Sequence, residues 1–509
     1  MSSRSVQSRA RVMLKPLTVM AFVVVAFVLF PRYLFADLYG DEWGHTWGVI
    51  NAPDFWHTLA KPEMCHPPLF FILARYSYLA VGAPWAIRIP SLIFALLTIP
   101  FAIALGSRIV GKESWLWPGL LCVLSPFVLE FATEGRVYAG MVFFSTASVW
   151  AFERWMERES AGRLAVLTAF ITGGCLLHYF FLFVPAALAL VYLLRRRRVT
   201  RAWLAYAAVC GALFALFAMV VFVIQGGGQG RVLQADWAMQ TFSYVQFFLR
   251  LAIAIALGYS TFRLGDMDRA RNVSMTDTLA ANALAVALLV VFAIALAITL
   301  WRHVRERRPG FYDWITAAAV ITGLGVLANA GGFAMVREKH LAPLWVFFFL
   351  ILLSLLWHSR KTLAGKALLA SYAGLCLISV SHFVFDSHHY GRRMDWTGLI
   401  RQVEREAGPD DVVASYLFSL ESIALRERID LPAQAHRLLL GDLGRDDALL
   451  KGLNQSPVLS QAPVVFLVHN ETEKNLLDPE RKCLALLSQG RSVSVHPYGR
   501  NLALYKLSR

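Results

Sequence analysis

Phe170-Ile-Thr-Gly-Gly-Cys-Leu-Leu-His-Tyr-Phe-Phe-Leu-Phe-Val-Pro-Ala-Ala-Leu-Ala-Leu-Val-Tyr-Leu-Leu194 is apolar almost throughout and runs straight into four arginines, Arg195 to Arg198. With the apolar residues from 164 onward, it is too long for one crossing of ~30 Å of hydrocarbon. Its polar break at Leu176-Leu-His-Tyr179 predicts a tight helical hairpin turning near His178, with the arginines on the opposite side of the membrane. The whole 509-residue chain is built in this manner. Apolar residues make up 57% of it and charged ones 16%, and mean hydropathy is +0.53. Such a composition excludes an ordinary soluble protein and predicts a polytopic α-helical membrane protein.

Apolar runs predict eleven crossings at about 16–31, 86–105, 115–132, 137–152, 164–177, 179–194, 202–225, 279–301, 314–330, 341–357 and 366–384. The run 67–81 is short and reads as a juxtamembrane or re-entrant helix, because a full crossing there would move the Arg195–Arg198 cluster to the other side. The segment 244–259 is apolar but short.

Arg4, Arg9, Arg11 and Lys15 precede the first run, which reads as a retained signal anchor. Basic clusters then recur in alternate loops, including Arg108 with Lys112, Arg154 with Arg158 and Arg163, Arg302 to Arg308, and Arg360 with Lys361 and Lys366. The positive-inside rule therefore places the N-terminus in the cytoplasm and the C-terminus outside. The net charge of +15 follows from these loops, so it points to anionic lipid rather than nucleic acid. The six cysteines have no CxxC spacing, so neither a metal knuckle nor a disulfide framework is indicated; Cys65 and Cys483 are the pair that could meet outside.

Two domains are expected: a transmembrane domain, 1–385, with a first outer loop at 32–85, and a soluble extracytoplasmic α/β domain, 386–509. In the latter, Trp396–Ala407 reads as an amphipathic helix. Asp411–Tyr416, Pro463–Val468 and Asn501–Leu507 read as strands. Residues 226–278 form a long outer segment opening on Gln225-Gly-Gly-Gly-Gln-Gly230, suited either to a lid or to a loose connector.

This topology gathers Asp41, Glu42, His66, Glu134, Arg136, His178, Arg337, Lys339 and His340 at the outer ends of spans. The inner face has basic clusters but no comparable mixture of acid, base and imidazole. His66-Pro-Pro-Leu69, Ala86-Ile-Arg-Ile-Pro-Ser91, Ser125-Pro-Phe with Glu134-Gly-Arg-Val-Tyr138, His178-Tyr179 and Arg337-Glu-Lys-His-Leu-Ala-Pro343 follow in that order. In this order they resemble the GT-C membrane glycosyltransferases, in particular the bacterial protein mannosyltransferase, aminoarabinose transferase and lipopolysaccharide galacturonosyltransferase group. The resemblance is strong over 33–195 and weaker to about 345.

The resemblance implies transfer of a sugar from a polyprenyl-phosphate donor to a glycan, lipid or protein acceptor outside the cytoplasm, in a bacterial inner membrane. It implies that Asp41 is the catalytic base, matching the first acidic residue of the first outer loop. A carboxylate at hydrogen-bond reach can take the acceptor hydroxyl's proton during attack at the anomeric carbon. One base suffices for inversion, whereas retention asks for a second close carboxylate, a part that the adjacent and diverging Glu42 is poorly placed to play.

Glu134 is implied as a second acidic residue of the site, with Arg136 as a phosphate or structural partner. The departing lipid phosphate needs positive charge, which Arg337, Lys339 and, at lower rank, Lys61 supply. His66 stands where some relatives have Lys. His178 and Tyr179, with His340, complete the substrate-binding set.

Glu42 with two imidazoles, His178 among them, offers ligands for a divalent ion as in some relatives. Equally, the histidines are hydrogen-bonded side chains at helix ends, and the spacing does not choose. The competing function is a glycolipid transporter or flippase. Against it, charged residues are nearly absent from the middle of the proposed spans and no inverted repeat is visible.

Overall fold

The computed structural model describes residues 66–219, 244–258, 282–306, 310–330, 338–385, 395–415, 436–439, 461–470, 482–498 and 502–509, with Leu34, Phe35, Leu38, Glu42, Thr46, 54–56 and Leu459. By internal contact the chain divides into two units. The first takes in Met1–Leu34, Val49–Leu264 and Val273–Val384. The second takes in Phe35–Gly48, Gly265–Asn272 and Phe385–Arg509.

The first unit is helical: α1 (Leu69–Val81), α2 (Ile89–Val110), α3 (Leu116–Val123), α4 (Pro126–Ala132), α5 (Tyr138–Glu157), α6 (Ala161–Cys175), α7 (Phe183–Arg196), α8 (Arg201–Met219), α9 (Tyr244–Leu257), α10 (Ala283–Arg305), α11 (Phe311–Ala330), α12 (Leu344–Ser359) and α13 (Leu363–Phe385). Helix α5 is central. Its side chains are buried almost all round, as in a helix surrounded by others, and α2 and α6 pack along it. Ser145 and Thr146 sit inside this apolar setting because their hydroxyls donate back to the Val142 carbonyl, at 3.0 and 2.7 Å. A second packed region joins Phe292 of α10, Leu352 and Leu355 of α12, and Leu368, Tyr372 and Leu375 of α13.

Among the described residues, five helical stretches are long and apolar enough to cross a membrane: Pro84–Val110, Tyr179–Arg196, Ala283–Arg305, Phe311–Ala330 and Leu363–His382. Shorter apolar helices include Leu69–Val81, Ala161–Cys175, Arg201–Leu216, Phe247–Leu257 and Leu344–Ser359. The segment expected to cross over 115–132 is a pair of helices, Lys112–Val123 and Pro126–Ala132, bent by 59° at a break between them. The cause is local. Ser125 is extended (φ −65°, ψ 115°) and Pro126, lacking an N–H, starts a new helix. Trp345 of α12 donates its indole N–H to Ser125 Oγ at 2.9 Å, so the break is held by the bundle. The hairpin expected near His178 lies between α6 and α7. The crossing expected at 16–31 and the segment 226–243 fall outside the described residues.

The second unit contains the amphipathic helix α14 (Trp396–Glu406), strands β1 (Val412–Ser415), β2 (His436–Leu439) and β3 (Val464–Asn470), helix α15 (Lys482–Leu487), and strands β4 (Ser492–Pro497) and β5 (Leu502–Ser508). They form one mixed sheet of order β2-β1-β3-β5-β4, parallel over β2-β1-β3 and antiparallel beyond. One face buries Phe466, Val468 and Leu504 beneath Trp396, Leu399 and Val403 of α14, and the other buries Val465, Leu467 and Leu507 with Leu487 of α15. Strands β2 and β4 were not among the expected ones.

Candidate active site

The turn between α6 and α7 is built on Gly174, whose carbonyl accepts from Leu177 and His178 N–H at 3.1 and 3.2 Å. His178 then caps the short 3-10 turn Tyr179–Leu182, its Nδ1 accepting the Phe180 N–H at 3.1 Å. With Nδ1 an acceptor, the neutral ring carries its proton on Nε2. That atom is buried and has no hydrogen-bond partner among the described residues. Leu69 N–H donates to Leu176 O at 3.1 Å, which joins the start of α1 to this turn and brings His66 beside His178, with ring centroids 4.7 Å apart. Tyr179 lies 6.4 Å from His66 and 6.0 Å from His178 by the same measure.

The bend after α4 supplies the charge. Thr133 to Arg136 turn back on Glu130, Phe131 and Glu134 carbonyls, and Ser91 of α2 donates to Arg136 O at 3.0 Å. That bond gives Ser91 of the Ala86–Ser91 motif its role, while Arg88 of the same motif donates to Leu34 O at 2.9 Å. Arg136 is buried and one guanidinium nitrogen lies 3.2 Å from His66 Nε2. Lys339 and His340 arrive from the 3-10 turn Glu338–Leu341 that precedes α12. His340 lies 5.3 Å from His178 and 5.7 Å from Phe180 between ring centroids.

At the centre stands Tyr138, the first residue of α5, fully buried. Arg136 approaches its ring at 5.9 Å, Lys339 at 5.5 Å, and His340 stacks on it at 6.3 Å. Burial, with Arg136 and Lys339 nearby, pulls the His178 imidazole down to about 3, so it stays neutral.

The structure thus brings together His66, Arg136, His178, Tyr179, Lys339 and His340. Glu134 is buried in the Arg136 loop and Glu42 is buried in the second unit's Phe35–Gly48 segment. Asp41, Lys61 and Arg337 lie outside the described residues. Two residues carry more than the sequence assigned to them. Glu130 is buried, and Gly258, at the end of α9 with φ +71°, comes so close that an added Cβ would lie 2.8 Å from Glu130 Oε1. Tyr138 stood in a quoted motif without a role.

The N-terminal ends of α1 and α5, and the turns leading into α7 and α12, all meet at this cluster, so four sets of backbone dipoles present positive ends to it. Arginine, lysine and neutral N–H and O–H donors make it suited to an anion. Of its imidazoles, His178 Nδ1 accepts from Phe180 N–H and His66 Nε2 faces a guanidinium, and among the described residues no group of three His, Cys, Asp or Glu side chains is placed to ligate a metal.

The opposite ends of the helices are different. Arg108 pairs with Glu153 (3.3 Å) and Glu157, Arg195 with Glu153 and Asp313 (2.8 Å each), and Arg196 with Glu159 (2.9 Å). Several arginines that read as loops facing lipid therefore also fasten α2, α5, α7 and α11 together.

Residues 65–224 match the dolichyl-phosphate-mannose-protein mannosyltransferase family. Among solved structures, the Archaeoglobus fulgidus oligosaccharyltransferase in complex with Zn and sulfate is similar over 94% of this chain and 72% of its own, at 13% identity and a TM-score of 0.52. The chain shares the fold of that oligosaccharyltransferase. ArnT from Cupriavidus metallidurans in the apo state is similar over 97% of this chain and 98% of its own, at 16% identity and a TM-score of 0.46. Curated protein sequences give no match.

Proposed function

We propose that the chain is an inverting glycosyltransferase that moves a sugar from a polyprenyl-phosphate donor to an acceptor hydroxyl at the outer face of a bacterial inner membrane. The observation that carries this reading is the convergence of Arg136, Lys339 and the neutral His178 imidazole on one set of helix beginnings, Arg136 and His178 lying within residues 65–224, which match a family named for a polyprenyl-phosphate sugar.

In the reaction, the acceptor oxygen attacks the anomeric carbon as its proton passes to Asp41. The bond from that carbon to the phosphate oxygen breaks, and its electron pair leaves with the lipid phosphate. Charge on the phosphate grows as this happens, so cations and N–H donors already in place stabilise the transition state more than the bound donor. Arg136 and Lys339 do this, with Arg337 and Lys61 as further phosphate contacts. Glu42 and Glu134 orient the acceptor and sugar. Eleven crossings, a cytoplasmic N-terminus and an extracytoplasmic C-terminal α/β domain complete the arrangement.

Replacing Asp41 with Asn and assaying transfer of radiolabelled sugar from polyprenyl-phosphate donors in membranes tests it. A loss of about 10²-fold or more is expected for removal of a general base; unchanged turnover rejects the mechanism.

A further inference from the structure

The Ser125-Pro-Phe motif takes no part in the proposed chemistry, yet its serine is joined to a residue 220 positions along the chain. The Trp345 indole N–H donates to Ser125 Oγ at 2.9 Å, and both side chains are buried. Phenylalanine would suit the apolar start of α12, as Phe347 and Phe349 do within the same helix. An indole brings in addition a donor that must find an acceptor when buried. Apolar packing has no preferred direction, whereas this bond fixes one distance between α12 and the break before α4.

Each partner stands at the base of a short arm that ends on a cation of the cluster. From Ser125 the first arm runs up α4, where Leu129 N–H donates to Ser125 O at 3.1 Å. It continues through the bend in which Thr133 donates its N–H and hydroxyl to Glu130 O, Glu134 N–H donates to Phe131 O and Arg136 N–H donates to Glu134 O. The second arm runs back from Trp345, whose N–H donates to Ala342 O at 3.0 Å, while Ala342 N–H donates to Lys339 O at 3.2 Å. Both arms are hydrogen-bonded along their length, so a shift at the base reaches the tip. At the tips, Arg136 and Lys339 approach the same Tyr138 ring at 5.9 and 5.5 Å. Ser91 ties the Arg136 arm to α2, so the arm carrying Lys339 is the one that the indole bond sets.

We propose that Ser125 and Trp345 are positioning residues for sugar transfer, their bond setting the spacing between Arg136 and Lys339. This rests on the polyprenyl-phosphate reading above. In that reading the cations act on charge that grows as the lipid phosphate departs, so a change in their spacing lowers kcat more than it raises the donor KM.

The test uses the full chain in membranes, with radiolabelled mannose, aminoarabinose and galacturonate presented on polyprenyl phosphate. Wild type, Ser125→Ala, Trp345→Phe, the double variant and Tyr192→Phe are compared. Ser125→Ala should lower kcat about tenfold with the donor KM within about twofold of wild type, since a misplacement of about 1 Å can cost up to about 10²-fold. Trp345→Phe should do the same, and adding Ser125→Ala to it should lower kcat no further, because the bond is already lost. Tyr192→Phe removes a hydroxyl that bonds Glu159 and Thr200 at the other end of the helices; it should lower the melting temperature and leave kcat unchanged. Amide exchange of the purified protein supplies a readout that needs no substrate: Ser125→Ala should speed exchange at Ala342 and Trp345 by about threefold or more and leave α7 unchanged. Wild-type kcat in Ser125→Ala, unchanged exchange at those two amides, or a kcat that falls as far in Tyr192→Phe overturns the inference. Wild-type protein that transfers none of the three sugars and does not bind farnesyl phosphate overturns instead the polyprenyl-phosphate reading on which it rests.

Discussion

Gly174→Ala is the substitution whose effect can be worked most directly from the geometry. A Cβ on Gly174 would lie 2.3, 2.3 and 2.5 Å from three atoms of the Phe181 ring, where ordinary contacts begin near 3.4 Å. The ring must therefore retreat by about 1 Å, and being fully buried it has no free volume to enter. Overpacking of this kind costs about 1–3 kcal/mol.

The displacement is also badly placed for the site. Phe181 N–H donates to His178 O at 3.1 Å, and His178 N–H donates to Gly174 O, so the crowded residues are those that orient the imidazole. Transfer activity or phosphate binding should fall more steeply than thermal stability. Two alanine controls separate crowding from helix propensity. Gly162→Ala meets nothing within 4 Å and should be neutral or slightly stabilising. Gly173→Ala meets the ring of Phe144, which is only partly buried, and should cost less than Gly174→Ala. Melting curves of purified protein with a parallel transfer assay read both quantities. Gly174→Ala with wild-type melting and wild-type activity would refute the reasoning.

Two further outcomes are expected. Because the His178 imidazole is held from 6.5 down to about 3, the folded protein binds fewer protons than the unfolded one between these values. Its contribution to stability is complete above pH 6.5 and declines as the pH falls, by up to about 1.4 kcal/mol per pH unit; His178→Gln should flatten the melting temperature between pH 7 and 4.5, and an unchanged slope counts against this. At the other end of the helices, Glu153→Gln and Asp313→Asn should each lower stability by about 1–3 kcal/mol by taking one of two carboxylates from Arg195, and Arg195→Met should cost less in the double mutant than alone; strict additivity in thermal unfolding would show that the three do not act together.

Helix positions were legible where apolar periodicity alone decides them. The hairpin at His178 was visible because one polar break interrupts a run too long for one crossing, and α14, β1, β3 and β5 because their patterns match a half-buried helix and buried strands. The break at Ser125 was not, since Pro126 is compatible both with a kinked span and with a new helix, and the Trp345 bond that selects the latter comes from a residue far along the chain. Strand β4 escaped because it is an edge strand exposed on both faces, which leaves no burial pattern to read. Within the site, His66, Arg136, His178, Lys339 and His340 could be chosen as charged or titratable residues at helix ends. Tyr138 could not: an aromatic residue opening an apolar helix has the appearance of core, and only the two cations on its ring distinguish it.

The meeting of four helix beginnings at one cluster has a consequence for how such a site changes over time. Part of its attraction for anions resides in peptide groups, which every sequence with this fold retains. Under the proposed function, exchanging His66 for Lys or losing one arginine should alter affinity without abolishing it. The backbone sets a floor beneath which side-chain variation does not reach, and above that floor the headgroup preference is free to drift.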